Sequence, residues 1–335
     1  MPDEVRWRDA AAGRSLLLRP GLARDLTGVL AAEGWTDFEL LSTGRALTDA
    51  PGLADAAART HLVPSGQVPE AADAILDDVG SQRLVALGGG RVIDSAKAIA
   101  AVRGGEVAAV PTTLSGAEMT AIHRLPAGHS DLTGVRPSLV LADPELMASA
   151  PEPQLRASAM NALAHGADSL YTPLADGLSR GTALRGARMI ATALDRDRDG
   201  RDRSELAMGA LLCGAAIDSA GLALHHVLSQ TLVRVCATPH AETNAAVLPV
   251  VMEEMSGRAP EQLAALSEAI GAEPGAIRAR IEQLGGGRRG LGELGAERGC
   301  VEPAIEAAML RPELNHMTPG EVTAADLREL IDAAW

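Results

Sequence analysis

The stretch that most restricts the fold is Leu84-Val85-Ala86-Leu87 followed by Gly88-Gly89-Gly90 and then Arg91-Val92-Ile93-Asp94-Ser95-Ala96-Lys97. Four apolar residues suit a buried strand, three glycines a tight turn, and the remainder the first turns of a helix. Comparable apolar runs recur at 15–18, 38–41, 107–110 and 139–142, with helical patterns at 22–32, 69–79 and 92–102 between them. Strand–helix alternation at this spacing predicts an open parallel α/β sheet, and such sheets take ligands at the carboxyl ends of their strands. The glycine triplet lies at one such end. Its backbone N–H groups and the helix N-terminus together form an anion site. Lys97 is the only lysine in the chain; all the rest of its 30 basic residues are arginine. Two turns into the helix, its ammonium is expected to reach the same anion as a compact point charge. The plainer alternative is a surface lysine.

Beyond about Pro151 the strands stop. Residues 153–171, 178–194, 204–220, 223–235 and 240–255 read as long Ala/Leu-rich helices, and 262–270, 276–284, 301–308 and 324–334 as shorter ones. The chain therefore divides into an α/β domain, 1–150, and an all-helical domain, 151–335. The default place for a site is the cleft between the two. Aromatic side chains are confined to Trp7, Trp35, Phe38, Tyr171 and Trp335, so the cores must pack from Ala, Leu, Val and Ile. A net charge of −14 argues against nucleic acid or an anionic membrane as partner. No apolar run reaches membrane length, and the charged start of the chain is unlike a secretory signal. Cys213, Cys236 and Cys300 are odd in number and lack metal-ligand spacing. They read as reduced, mostly core residues of a cytoplasmic protein.

Two further groups carry chemistry. Pro111-Thr112-Thr113-Leu114-Ser115-Gly116-Ala117-Glu118-Met119-Thr120 follows the 107–110 strand and sets three small hydroxyls at a strand end. It suits close contact with a ligand, and equally an ordinary strand-to-helix cap. In the helical half, Asn161 and His165 share a helix face, as do His226 and Gln230, while His225 faces differently. His240 follows Pro239 at a helix start. Three helices are thus expected to bring His165, His226 and His240 together, with Asn161 beside them.

GGGRVIDSAK, PTTLSGAEMT, LADPEL, NALAHGADSLY, HHVLSQ and PHAETNAAVLP stand in the order seen in the iron-containing alcohol dehydrogenase superfamily. From about residue 14 onward the chain resembles that superfamily, and within it the maleylacetate reductases. The sugar-phosphate cyclases are a distant relation that uses several lysines. The resemblance implies a Rossmann-like domain, a helical domain and nicotinamide-dependent hydride transfer. Gly88, Gly89, Gly90 and the helix from Val92 would hold the pyrophosphate with Lys97 adding charge, Asp94 would belong to the cofactor site, and Thr112, Thr113 and Ser115 would line the cofactor. His165, His226 and His240 would act as donors to a carboxylate or developing enolate oxygen, with His225 a second candidate for proton donation. Metal-dependent members carry Asp where Asn161 stands; the neutral amide points to a metal-free site. Further departures are Gln230, Asn244 and a short 123–137 loop without the lysine expected around Ser130. Arg124 and Arg136 on that loop, with Gln230, are the candidates for a carboxylated small-molecule substrate. A homodimer is the expected assembly.

The family reading leaves a metal-dependent alcohol dehydrogenase or aldehyde reductase, and a non-redox cyclase, isomerase or binding protein, as alternatives. Both NADPH and NADH are possible cofactors. A dinucleotide fold that selects NADH usually ends its second strand on a carboxylate. Here the 38–41 strand leads into Ser42-Thr43-Gly44-Arg45, which suits a 2′-phosphate, so NADPH is expected to bind at least as tightly as NADH.

Overall fold

A computed structural model describes residues 2–129 and 131–335; Ser130, where a lysine was expected, lies outside the described residues. The chain divides into two compact units, Met1–Ala150 and Pro151–Trp335. The first holds strands β1 Val5–Asp9, β2 Arg14–Leu18, β3 Glu39–Ser42, β4 Arg59–Leu62, β5 Arg83–Gly88, β6 Glu106–Pro111 and β7 Leu139–Ala142. Its helices are α1 Leu26–Ala32, α2 Gly44–Asp49, α3 Leu53–Ala56, α4 Val68–Leu76, α5 Gly90–Arg103 and α6 Pro144–Met147. The sheet runs β1-β2-β7-β6-β5-β3-β4, and every pair but β1–β2 is parallel.

The inner strands read as continuous apolar runs because both sheet faces are covered. On β5, Val85 and Leu87 pack with Leu26, Leu30 and Ala46, while Leu84 and Ala86 pack with Ala72, Ile93 and Ala96. The α/β class expected from the alternation is therefore the observed one. Two strands escaped the apolar pattern, β1 (VRWRD) and β4 (RTHL). Both lie at sheet edges, where water solvates the side chains and no apolar run is needed.

The second unit is helical: α7 Glu152–Asp168, α8 Gly177–Leu194, α9 Arg203–Ala220, α10 Leu224–Val235, α11 His240–Arg258, α12 Pro260–Ile270, α13 Ile277–Leu284, α14 Val301–Met309, α15 Glu313–Met317 and α16 Ala324–Ala333. Among the described residues no single helix is long and apolar enough to cross a membrane. One expectation fails here. Cys236 and Cys300, 64 residues apart, form a disulfide with Cα atoms 5.4 Å apart, and only Cys213 is free. An odd count and the lack of metal spacing say nothing about which helix ends meet. Packing of α10 on α14 brings these two within bridging range. The Cys213 thiol is pushed up to about 12 by burial, so it is inert.

Candidate active site

The glycine turn and the hydroxyl-rich loop, read separately from the sequence, meet. β5 and β6 run in register so that Gly88 lies opposite Pro111, and Thr112 N donates to Gly88 O at 3.0 Å. A Cβ on Gly89 would stand 3.0 Å from Thr113 Cγ2, and one on Gly90 3.1 Å from Ser115 Cβ. One on Gly88 would lie 2.6 Å from Val92 Cγ2, so the close approach of the two loops requires hydrogen at these positions. Val92 N and Ile93 N donate back to Gly89 O (3.0 and 3.2 Å), which leaves the Gly90 and Arg91 amides at the head of α5 without a helical acceptor. Thr113 Oγ1 is buried without a hydrogen-bond partner beside them. Together these groups make a donor-lined end to the sheet, suited to a phosphate.

Lys97 does not stand where the sequence suggested. Its side chain is fully buried, and Nζ donates to Asp94 Oδ1 (2.7 Å), Ile122 O (2.9 Å) and Ala117 O (3.0 Å), with Thr120 Oγ1 at 3.4 Å. An ammonium has three protons, and these acceptors use them. Lys97 and Asp94 thus fasten the 117–122 segment from below rather than reaching an anion. A residue two turns into a helix faces whatever packs on that face, and here that is the loop after β6. Beside it Glu118 is fully buried with neither carboxylate oxygen hydrogen-bonded to a side chain or neighbouring backbone, and burial raises its carboxyl to about 7.

β3 ends one residue later than expected, at Ser42, and pairs with β5 so that Ser42 stands beside Leu87. The Ser42 hydroxyl donates to Leu87 O at 2.8 Å and is buried, so it is not available to a ribose phosphate. Thr43 caps α2, and Arg45 on its first turn is exposed. Arg124 is exposed and donates to Gln67 Oε1 at 2.5 Å; Arg136 is exposed on the same loop.

In the helical unit the histidines do cluster. The His165 and His226 rings stack with centroids 4.8 Å apart and 13° from parallel, and His225 meets His226 edge-on at 4.9 Å. The group that orders them is Asp168, which the sequence reading passed over. Asn161, His165 and Asp168 fall on one face of α7 at spacings of four and three, a stripe that would have revealed it. The Asp168 carboxylate is fully buried at the end of α7. Its Oδ2 accepts from His226 Nδ1 (2.7 Å), Ala223 N (3.1 Å) and His226 N (3.2 Å), and Oδ1 accepts from the Tyr171 hydroxyl. Burial works to raise this carboxyl, but the bonds and charge from His226 prevail and hold it at about 2. His226 therefore carries its proton on Nδ1, which leaves Nε2 buried and open.

His165 and His225 are held neutral. Burial, reinforced by His226 and His240, pushes His165 well below its ordinary value, and burial with His226 lowers His225 to about 3. Asn244 donates from Nδ2 to His240 O (2.8 Å), so its Oδ1 accepts from His225 Nε2 (2.9 Å) and from Ser229 Oγ (3.0 Å). The ring proton of His225 is thus engaged, against its expected part as a proton donor. His240 is exposed at the start of α11. Gln230 accepts from Arg311 Nη1 at 2.9 Å through Oε1, so its amide is oriented by a guanidinium.

Profile comparison matches residues 26–151 to the iron-containing alcohol dehydrogenases and residues 156–335 to the C-terminal part of the same family. The chain belongs to the iron-containing alcohol dehydrogenase family. It is an NAD(P)H-dependent oxidoreductase. Maleylacetate reductase 1 of Rhodococcus opacus is 32% identical over 262 residues, which cover 75% of this chain and 72% of that one. The crystal structure of maleylacetate reductase from Agrobacterium tumefaciens superposes with a TM-score of 0.84 at 28% identity over 96% of this chain and 95% of that one. The maleylacetate reductase from Rhizobium sp. gives 0.84 at 27% over 100% and 99%.

The iron in the family's name finds no ready donor set. Among the described residues no group of three or more His, Cys, Asp or Glu side chains is placed to hold a metal ion, and the position four before His165 is an amide.

Proposed function

We propose that this chain transfers hydride from NADPH or NADH to a small carboxylated enone or carbonyl compound, without a metal. Its named relatives support the substrate class. The observation that carries the chemistry is the Asp168–His226 pair. Reduction of a conjugated or simple carbonyl places negative charge on oxygen, and a donor at that oxygen lowers the barrier. Of the three buried imidazoles of the helical unit, His165, His225 and His226, it is His226 that has a carboxylate against its Nδ1. An imidazolium there is compensated, so Nε2–H can donate to the developing enolate and later release the proton. His165, stacked on His226 and neutral, excludes water from that ring. Asn161 stands where a metal-binding carboxylate would otherwise add charge, and His240 remains the third candidate donor.

The nicotinamide cofactor supplies the hydride when bound. Gly88–Gly90, the first amides of α5 and Thr113 are assigned to its pyrophosphate, with Thr112 and Ser115 alongside. Arg45 is the residue for a 2′-phosphate; Arg124, Arg136 and Gln230 remain the substrate candidates. A homodimer, on the family resemblance, is checked by sedimentation equilibrium. The deciding assay follows reduced-nicotinamide absorbance with 2-maleylacetate, before and after a chelator, with elemental analysis of the same sample. Turnover indifferent to the chelator is expected. Stoichiometric zinc or iron whose removal abolishes turnover would overturn the metal-free mechanism, and no turnover with either cofactor would remove maleylacetate as the substrate.

A further inference from the structure

The disulfide lies at the joint between α10, which carries His225 and His226, and α11, which opens on His240. Cys236 closes α10, on which His225 and His226 sit, and Cys300 precedes α14. Both are half-buried, whereas Cys213 is fully buried. Immediately after Cys236 comes Ala237 at φ 54°, the one non-glycine with positive φ among the described residues. Alanine has no side chain to compensate that conformation, so it persists because its surroundings impose it. The next residues build the start of α11. Thr243 N donates to Pro239 O at 3.0 Å, Thr243 Oγ1 lies 2.7 Å from Thr238 Oγ1, and Asn244 reaches back to His240 O. Asn244 in turn holds His225 Nε2, and His225 packs edge-on against His226. A continuous run of bonds thus joins the disulfide to the imidazoles.

We propose that Cys236–Cys300 is a reversible redox site, open to small dithiols and disulfides, whose state sets the α10–α11 joint and through Asn244 the orientation of His225. In the reducing direction a dithiol thiolate attacks one sulfur to form a mixed disulfide, and its second thiol then closes on the first. The S–S bond breaks, each cysteine gains a proton, and the dithiol is left as its own disulfide, two electrons lighter. In the oxidising direction a small disulfide takes the two electrons and leaves as two thiols. With the link open, only packing holds the end of α10 to α14, and Ala237 can return to a negative φ.

The test needs no substrate, so its outcome is separate from that of the reductase reading. Full-length protein is treated with dithiothreitol, then with oxidised glutathione. At each stage native thiols are counted, helix content is checked by circular dichroism, and exchange of the His225 ring N–H is followed by NMR, the signal being identified by its loss in Asn244→Ala. Reduction is expected to expose two native thiols, leave helix content unchanged and speed the exchange at least about tenfold, reversibly. Cys236→Ser is expected to show the fast exchange without any reductant. A bond that resists dithiothreitol in the folded protein, exchange unchanged by reduction, or loss of helix on reduction would each overturn the proposal, the last because the bond would then be purely structural.

Discussion

Replacing Lys97 by methionine keeps most of the volume of the stem and removes the ammonium. Three acceptors then lose the ammonium: the carbonyls of Ala117 and Ile122, each left with one long 3.5 Å bond from Thr120, and the Asp94 carboxylate. A carbonyl that loses a charged donor costs about 1.5–3 kcal/mol, and taking one partner from a buried ion pair costs about 3–5 kcal/mol. Asp94 is 24% exposed, so water recovers part of its share and the losses do not add in full. The expected destabilisation of the sheet unit is about 3–5 kcal/mol. Trp35 is buried in that unit, whereas Trp7 is already 45% exposed, so Trp35 fluorescence during urea unfolding reports the right region. A Trp335→Phe background, common to both proteins compared, removes the signal from the helical unit. The cofactor dissociation constant is measured on the same variant. A stability loss under about 1 kcal/mol together with a large loss of NADPH affinity would refute the reasoning, because it would show that Lys97 touches the cofactor rather than the loop.

The Glu118 carboxyl, raised by burial from 4.5 to about 7, binds its proton in the folded chain where the unfolded chain has lost it. Stability of the sheet unit should therefore fall as pH rises from 4.5 to 7, by about 3 kcal/mol, and Glu118→Gln should abolish that slope in urea titrations at pH 5 and 8. Equal slopes in the two proteins would show that Glu118 stays ionised. Asp168, held at about 2 against 3.8, should contribute about 2 kcal/mol above pH 4 that fades as pH falls through 2, and Asp168→Asn should lose it. The same variant should lower turnover about 10²–10⁴-fold, since an amide no longer stabilises charge on His226; unchanged turnover would remove His226 as the donor. Arg45→Ala should weaken NADPH by about tenfold or more and leave NADH unchanged, a charge-assisted phosphate contact being lost. Equal effects on both cofactors would place the 2′-phosphate elsewhere.

Much of this protein follows from local rules that need no partner in space. Leu84–Leu87 followed by three glycines dictates strand, turn and helix, because glycine alone admits the close approach to Thr113 and Ser115. The Ala/Leu periodicity after Pro151 dictates helices. The histidines on α7 and α10 are legible because helix spacing sets which residues share a face. What the sequence left open depends on what packs against a given face. Lys97 reads as an anion contact until the loop after β6 closes over it and consumes its three protons. The Ser42 hydroxyl reads as a ligand donor until Leu87 O is found beside it. Asp168 went unread at the end of α7, and only the start of α10, folded back to within hydrogen-bond reach, makes it the carboxylate that sets the proton on His226. Cys236 and Cys300, 64 residues apart, read as reduced thiols because spacing carries no record of which helix ends meet. Covalent and helical periodicities are properties of the chain, whereas the acceptor a buried donor finds is a property of packing, decided only when the elements come together.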